Sequence, residues 1–127
     1  MDLSQAQIAQ LQDVGVTLVY LFGSSAEETS FPWSDVDLGV ILTNAPSPGV
    51  YQQLYDLFTD LFPGRTVDIV WLQRASLELR GDAVRHGLVL YEVSPDARAA
   101  FEERTMLACA DFAPLQREID RTILART

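Results

Sequence analysis

The chain has 127 residues, of which 48% are hydrophobic and 21% are charged, a composition typical of an ordinary globular protein. Its formal net charge is −9 and its nine basic residues are all arginines, so it is a poor candidate for gripping a nucleic-acid backbone. No apolar run approaches the roughly 20 residues needed to span a bilayer. We therefore expect one domain over residues 1–127, located in the cytoplasm, with no direct contact to nucleic acid or membrane.

The acidic composition is compatible with recruitment of divalent cations and with docking of a basic protein partner. It is equally compatible with a surface charge that only keeps a small protein soluble. The single cysteine, Cys109, excludes an intramolecular disulfide and any zinc site built from several cysteines. Its small apolar neighbours favour a packed thiol over a nucleophile.

The first half of the chain predicts a helix followed by two strands. Apolar residues at helical spacing over 4–13 indicate a short helix capped by Ser4 and ended by Gly15. The continuous apolar run 16–22 predicts a central strand, because neither of its faces is polar enough for solvent. A second strand is predicted over 36–42, after a loop in which Pro32 prevents a helix from continuing.

The second half alternates helices and strands. A helix begins at Pro48, with Ser47 as its cap, and ends before Pro63 and Gly64. The other predicted elements are a strand over 65–72, a helix over 76–86, an edge strand over 88–93, and a helical segment over 95–127. We expect Pro114 to split that last segment in two.

Two carboxylates two residues apart, Asp35 and Asp37, open the second strand. Residues i and i+2 of a strand point to the same face about 7 Å apart, and two like charges so placed raise each other's pKa unless a cation intervenes. Hard oxygen ligands of this kind suit Mg²⁺ or Mn²⁺, and two such ions can hold the attacking and leaving oxygens of an in-line displacement. Exposed aspartates at strand ends are also common, so the pair alone is weak evidence.

A third carboxylate, Asp68, lies inside the third predicted strand. An ionised carboxylate is costly to bury without a partner. If this strand lies beside the one that carries Asp35 and Asp37, the three aspartates form one cluster. The alternative is an edge-strand aspartate that faces water.

Gly23 and Ser24 follow the first strand, and ten residues separate them from Asp35. A glycine allows close approach of the backbone to a phosphate, and N–H groups at the start of a helix together with a hydroxyl can receive phosphate oxygens. A bare Gly-Ser is also an ordinary turn. The informative feature is the joint order of strand, Gly-Ser, ten residues, Asp-x-Asp, strand, helix, and strand with an internal Asp.

This order resembles the nucleotidyltransferase superfamily related to DNA polymerase β, with its G-S-x10-D-x-D signature, and in particular its minimal single-domain (MNT) members. The similarity extends through 67–72 and 87–92 and along the helical tail to Asp111, and these segments are similar to MntA-type antitoxins encoded beside HEPN-domain toxins. The resemblance implies an α/β (α+β) fold with a small mixed sheet, helices mainly on one face and a C-terminal helical segment. The catalytic core would cover about 16–93.

The resemblance also implies a reaction, the transfer of AMP from ATP. Asp35 and Asp37 would hold two Mg²⁺ ions, with Mn²⁺ as a substitute, and Asp68 would bind the metal nearer the attacking hydroxyl. Gly23 and Ser24 would contact the terminal phosphates of ATP. In MntA-like members the acceptor is a tyrosine hydroxyl of the HEPN toxin, which is a ribonuclease silenced by the modification. Many relatives carry Arg directly after the Gly-Ser, whereas this chain carries a serine there.

Two other functions are compatible with the same residues. The first is a nucleotidyltransferase-fold antitoxin that neutralises its partner by occlusion, without turnover. The second is a small-molecule nucleotidyltransferase of the aminoglycoside-modifying type, although the segment after Pro95 is short for an acceptor pocket.

The C-terminal segment is the expected site of partner contact. Its apolar residues can form a strip for another helix or can cover the protein's own sheet. The residues of this strip are Phe112, Leu115, Ile119 and Ile123.

Overall fold

The computed structural model describes residues 2–22 and 35–125, although the side chains of 112–116, 118–120 and 122–125 are outside the described part. The elements are α1 (Gln5–Val14), β1 (Val16–Phe22), β2 (Val36–Leu42), α2 (Pro48–Leu61), β3 (Val67–Trp71), α3 (Leu77–His86), β4 (Leu88–Glu92) and α4 (Pro95–Ala125). A 3₁₀ turn, Leu72–Arg74, separates β3 from α3.

Side-chain caps explain where the first two helices begin. The Ser4 hydroxyl accepts the Gln7 N–H at 3.1 Å while the Gln7 side chain accepts the Ser4 N–H at 2.8 Å, so α1 starts with a reciprocal capping box. The helix ends at Gly15, whose φ of 91° is in the left-handed region. Ser47 caps α2 and Pro48 occupies its first turn. Each of these caps was predicted from the sequence, and each is confirmed.

The four strands form one mixed sheet in the order β3-β2-β1-β4. β1 pairs antiparallel with β2 and with β4, whereas β2 and β3 are parallel. The predicted central position of β1 and the predicted edge position of β4 are therefore confirmed. β3 is shorter than the predicted 65–72 at both ends: it begins at Val67, and after Trp71 the chain enters the 3₁₀ turn.

The helices cover both faces of this sheet. On one face, Leu11 of α1 and Phe58 of α2 pack with alternate residues of the strands. On the other, Ala83 of α3 and Phe101 of α4 pack with the intervening residues, including Leu18. The predicted α+β class with a mixed sheet is confirmed. The helices are divided evenly between the two faces, whereas the prediction placed them mainly on one face. The reason is that β1 and β2 are apolar on both sides, so neither face can be left to solvent.

A glycine in β2 fixes how the 3₁₀ turn packs on the sheet. A Cβ placed on Gly39 would lie 2.7 Å from Cδ1 of Leu72, so only a residue without a side chain admits Leu72 there. The next residue, Gln73, accepts the Leu42 N–H at 2.6 Å and donates to the Asn44 carbonyl at 3.2 Å. These contacts hold the end of β3 against the end of β2.

A second glycine sets the distance between α3 and α4. A Cβ on Gly81 would lie 2.9 Å from Sγ of Cys109, and that sulfur is 4.0 Å from the Leu77 carbonyl oxygen. Cys109 is therefore a partly buried packing residue between two helices, as predicted.

The predicted break at Pro114 is wrong, because α4 is continuous over 31 residues. A proline removes a single N–H from the ladder, and the hydrogen bonds on either side maintain the helix. The predicted apolar strip of the tail, from Phe112 to Ile123, involves side chains outside the described residues. Among the helices that the structure describes, none combines the length and apolar character that crossing a bilayer requires.

A buried tyrosine links β1 to α4. Tyr20 is 1% exposed, and its hydroxyl donates to Oε1 of Glu102 at 2.8 Å. Arg98 lies 3.5 Å from the same carboxylate and 3.4 Å from that of Glu92 at the end of β4. Burial, and then the neighbouring Glu102 carboxylate, raise the pKa of the Tyr20 hydroxyl well above its ordinary value.

We expect this tyrosine to make the fold sensitive to alkaline pH. In the unfolded chain Tyr20 loses its proton near pH 10, whereas in the folded chain it keeps it, so stability is lost as the pH rises above about 10. Tyr20→Phe should remove that part of the pH dependence while costing about 1.5–3 kcal/mol at neutral pH through the lost hydrogen bond. Urea unfolding measured between about pH 9 and pH 11 tests this. Tyr51→Phe, at a tyrosine that is 37% exposed, is the matched control. If Tyr20→Phe lost as much stability at alkaline pH as wild type does, Tyr20 would not be the source of the pH dependence.

Candidate active site

The register of the sheet brings Asp37 and Asp68 side by side. Asp37 of β2 is paired with Asp68 of β3 on one side and with Phe22 of β1 on the other. Neighbouring strands lie about 4.8 Å apart, so the two aspartates are neighbours across the ladder although 30 residues separate them in the sequence. The sequence predicted a group of three carboxylates on the condition that β3 lies beside β2, and this condition is met.

All three carboxylates belong to the same end of the sheet. Asp37 is on the face that carries α3 and α4, because it alternates with Val36 and Leu38, which are buried against α1 and α2. Asp68 is on the same face as Asp37, because it alternates with Val67, which packs on the α1 and α2 face. Asp35 immediately precedes β2 and, like Asp68, is exposed, whereas Asp37 is partly buried.

The charges of these groups interact. Burial raises the pKa of the Asp37 carboxyl above its usual range, and the negative charges of Asp68 and then of Asp35 raise it further. The ionised form of Asp37 is therefore under electrostatic stress in the folded protein. A bound cation is the natural means of relieving it.

The donor set fits a hard divalent ion, since carboxylate oxygens are the ligands that Mg²⁺ and Mn²⁺ prefer. In the described part of the chain, no group of three or more His, Cys, Asp or Glu side chains is arranged so that it could hold a metal ion. The carboxylates of Asp37, Asp68 and Asp35 interact as neighbouring charges.

The predicted phosphate-binding residues, Gly23 and Ser24, lie outside the described residues, as does the segment from there to residue 34. Their connection to the described part is nevertheless defined. Gly23 directly follows Phe22, the β1 residue that is paired with Asp37. The Gly-Ser and the carboxylates are therefore joined through the last residue of a central strand.

Phe22 also lies at this end of the sheet, although it is not among the predicted site residues. It is 7% exposed and packs on the α3 and α4 face, directly beside Asp37 in the ladder. Its apolar ring belongs to the surroundings that make charge on Asp37 costly. The sequence contains a signal for it, an aromatic residue immediately before the Gly-Ser, but only the antiparallel register of β1 and β2 shows which aspartate it accompanies.

The mixed sheet and its helices have the nucleotidyltransferase fold. The family model described as polymerase beta, nucleotidyltransferase matches residues 6–96, well over half of the chain, and the chain belongs to this family. The sequence resemblance to its minimal, MntA-type members is also confirmed, by solved structures that cover nearly the whole chain.

Three of those structures are toxin–antitoxin complexes. A chain of a toxin–antitoxin complex with AMP-PNP is 27% identical, with a TM-score of 0.68 and coverage of 91% of this chain and 94% of that one. A chain of the MntA–HepT toxin–antitoxin is 25% identical, with a TM-score of 0.62 and coverages of 91% and 92%. A third structure is the complex of the tri-AMPylated Shewanella oneidensis HEPN toxin with MNT antitoxin. One chain of this complex is 24% identical and shares the fold, with a TM-score of 0.64 and coverage of 91% of this chain and 92% of that one. Among curated proteins, none is significantly similar in sequence.

Proposed function

We propose that this chain is the antitoxin of a HEPN/MNT pair and that it transfers AMP from ATP to a tyrosine hydroxyl of its cognate HEPN ribonuclease toxin in the cytoplasm. One observation carries the proposal: the parallel register that sets Asp37 against Asp68, at the end of the sheet where Asp35 enters β2. A protein that only docked on its partner would have no physical need for three interacting carboxylates.

The similar structures support the choice of nucleotide and partner. A relative that is 27% identical over most of its length is part of a toxin–antitoxin complex with the ATP analogue AMP-PNP. The Shewanella oneidensis toxin that is seen with its MNT antitoxin carries AMP groups. We assign the same class of reaction and the same class of partner to this chain.

The aspartates take distinct roles in this proposal. Asp35 and Asp37 would hold two Mg²⁺ ions, or Mn²⁺ in their place, and Asp68 would contribute to the ion nearer the acceptor. When bound, the ions supply positive charge that stabilises the negative charge developing on the transferred phosphoryl group and on the departing pyrophosphate. Gly23 and Ser24 would position the β- and γ-phosphates of ATP through backbone N–H groups and a hydroxyl.

The bond changes of the reaction are those of an in-line displacement. The tyrosine oxygen forms a bond to the α-phosphorus of ATP, and the bond between that phosphorus and the bridging oxygen to the β-phosphate breaks. Pyrophosphate leaves with the electron pair of the broken bond. The phenolic proton passes to Asp68, whose exposed carboxylate lies next to Asp37 and is open to an incoming acceptor.

The test is label transfer to the HEPN-domain protein encoded by the neighbouring reading frame. With Mg²⁺, label from α-³²P-ATP should appear on the toxin, label from γ-³²P-ATP should not, and peptide mass spectrometry should locate AMP on a tyrosine. Toxin that is neutralised without acquiring label would favour the occlusion mechanism instead. Efficient labelling of an aminoglycoside by the isolated chain would favour the small-molecule alternative.

A further inference from the structure

The outer edge of β4 is an apolar strand edge with no strand beyond it in the described part of the chain. β4 pairs with β1 on one side and is the last strand of the sheet. Two of its residues are exposed, Leu88 at 54% and Val89 at 36%, and Val93, just after the strand, is 43% exposed. An unpaired strand edge offers N–H and C=O groups as well as side chains to another chain.

This edge lacks two of the features that usually prevent association, charge and proline, although its pairing with β1 has a register shift at Leu90. Edge strands of stable monomers are commonly protected by charged residues, proline or a bulge that turns the edge away. The first four residues of β4 are Leu88, Val89, Leu90 and Tyr91, and none carries a charge. The acidic residue that follows, Glu92, is engaged by Arg98 of α4 at 3.4 Å.

The position of the edge links it to the reaction. Leu88 is paired with Leu21, which directly precedes Phe22, and Phe22 is paired with Asp37. The exposed start of β4 is therefore at the same end of the sheet as the carboxylates. β4 is two strand spacings from β2, about 10 Å, which is about the diameter of one helix.

We propose that the β4 edge, formed by Leu88 and Val89 at the carboxylate end and continuing to Val93 at the other end, is the surface on which the AMP-accepting HEPN protein docks, so that its tyrosine reaches the carboxylate end of the sheet. The proposal rests on the function proposed above and adds the location of the partner. A protein acceptor must be held next to Asp37, and this is an apolar surface beside that end of the sheet. A second copy of this chain is a poorer occupant, because two chains of net charge −9 repel each other.

The experiment measures binding separately from chemistry. Leu88→Asp places a charge on the docking surface and should raise the Kd for the HEPN protein, measured by calorimetry without ATP, at least about 30-fold. Leu88→Ala, which preserves the strand, should weaken binding in the same direction but less. Because Leu88 is exposed, the melting temperature of both variants should stay near that of wild type, which excludes a folding defect.

The matched control is Leu107→Asp. Leu107 is 58% exposed on α4, outside the β4 edge, and this variant should bind the HEPN protein as wild type does. Loss of binding in Leu107→Asp together with normal binding in Leu88→Asp would overturn the proposal and move the docking surface to α4. A dimer of the isolated chain that Leu88→Asp dissociates would assign the edge to a second copy and would also overturn it. Wild-type chain that binds the HEPN protein through Leu88 but transfers no AMP would contradict the proposed function while leaving the docking surface in place.

Discussion

Replacing Asp37 by Asn is expected to lower the rate of AMP transfer to the HEPN protein by at least about 10²–10³-fold, the loss that follows removal of one preorganised electrostatic group from an active site. The substitution is nearly isosteric but removes the negative charge that an Mg²⁺ ion requires. Asp35→Asn should have a similar effect, and the double variant should be no worse than the more damaging single one, because residues that act as a unit are not additive. Label transfer under single-turnover conditions is the measurement.

The same substitution should make the protein more stable. Because the pKa of Asp37 is raised in the folded state, the ionised group opposes folding at neutral pH, and this destabilisation is relieved as the pH falls toward the ordinary aspartate value of about 3.9. Asp37→Asn should therefore have a higher melting temperature than wild type at pH 7, and the difference should shrink as the pH is lowered. Loss of activity with a gain in stability is the usual relation at a site that holds like charges together.

A matched control for both effects is Asp60→Asn, at an exposed aspartate of α2. It should change neither the transfer rate nor the melting temperature beyond the small range usual for surface substitutions. Addition of Mg²⁺ should raise the melting temperature of wild type, because a ligand of the folded state stabilises it by mass action, and should have much less effect on Asp37→Asn. Undiminished label transfer by the Asp37→Asn protein would refute the assigned role.

Gly39→Ala is expected to destabilise the protein by about 1–3 kcal/mol, the cost of overpacking a filled core. The added Cβ would meet the Leu72 side chain at 2.7 Å, and Gly39 is in a central strand that has little freedom to move. Leu72→Ala alone should cost about 2–5 kcal/mol, because Leu72 is fully buried. With Leu72 shortened the clash is absent, so the double variant should be more stable than the sum of the single effects predicts, by a coupling energy of about 0.5–3 kcal/mol.

Denaturant unfolding of the four proteins of this cycle measures the coupling. Gly49→Ala is the control, since a Cβ on Gly49, in the first turn of α2, meets nothing within 4 Å. It should be neutral or stabilising by up to about 1 kcal/mol, because alanine loses less backbone entropy than glycine in a helix. Strictly additive effects of Gly39→Ala and Leu72→Ala would show that the close contact does not determine the packing of the 3₁₀ turn.

The local elements of this fold are readable from the sequence because each is specified by nearby residues. The bounds of β1 follow from a continuous apolar run, and the starts of α1 and α2 follow from Ser4 and Ser47, whose hydroxyls satisfy helix N–H groups three residues away. The predicted break at Pro114 failed because a proline signal is strong locally, whereas a long helix has enough other hydrogen bonds to continue through it.

The arrangement of the site depends on interactions between distant residues, which periodicity does not report. The alternation within β3 places Asp68 and Val67 on opposite faces of the sheet, but it does not say which strand lies beside β3. That choice depends on packing far along the chain, such as Leu72 on Gly39 and the Gln73 side chain bound to Leu42 and Asn44. The family resemblance predicted that the three aspartates belong to one site. The separation of the helices onto two faces and the pairing of Phe22 with Asp37 are seen only in the structure.

The length of α4 has a consequence for the hydrodynamics of the molecule. At 1.5 Å per residue its 31 residues extend about 46 Å, whereas a sheet of four strands, each at most seven residues long, measures about 27 Å along its diagonal. Whatever direction α4 takes across the sheet, roughly 20 Å of helix must project past it. A compact domain of 127 residues has a radius of gyration of about 14 Å, and this chain in solution should exceed that value and tumble as an elongated particle.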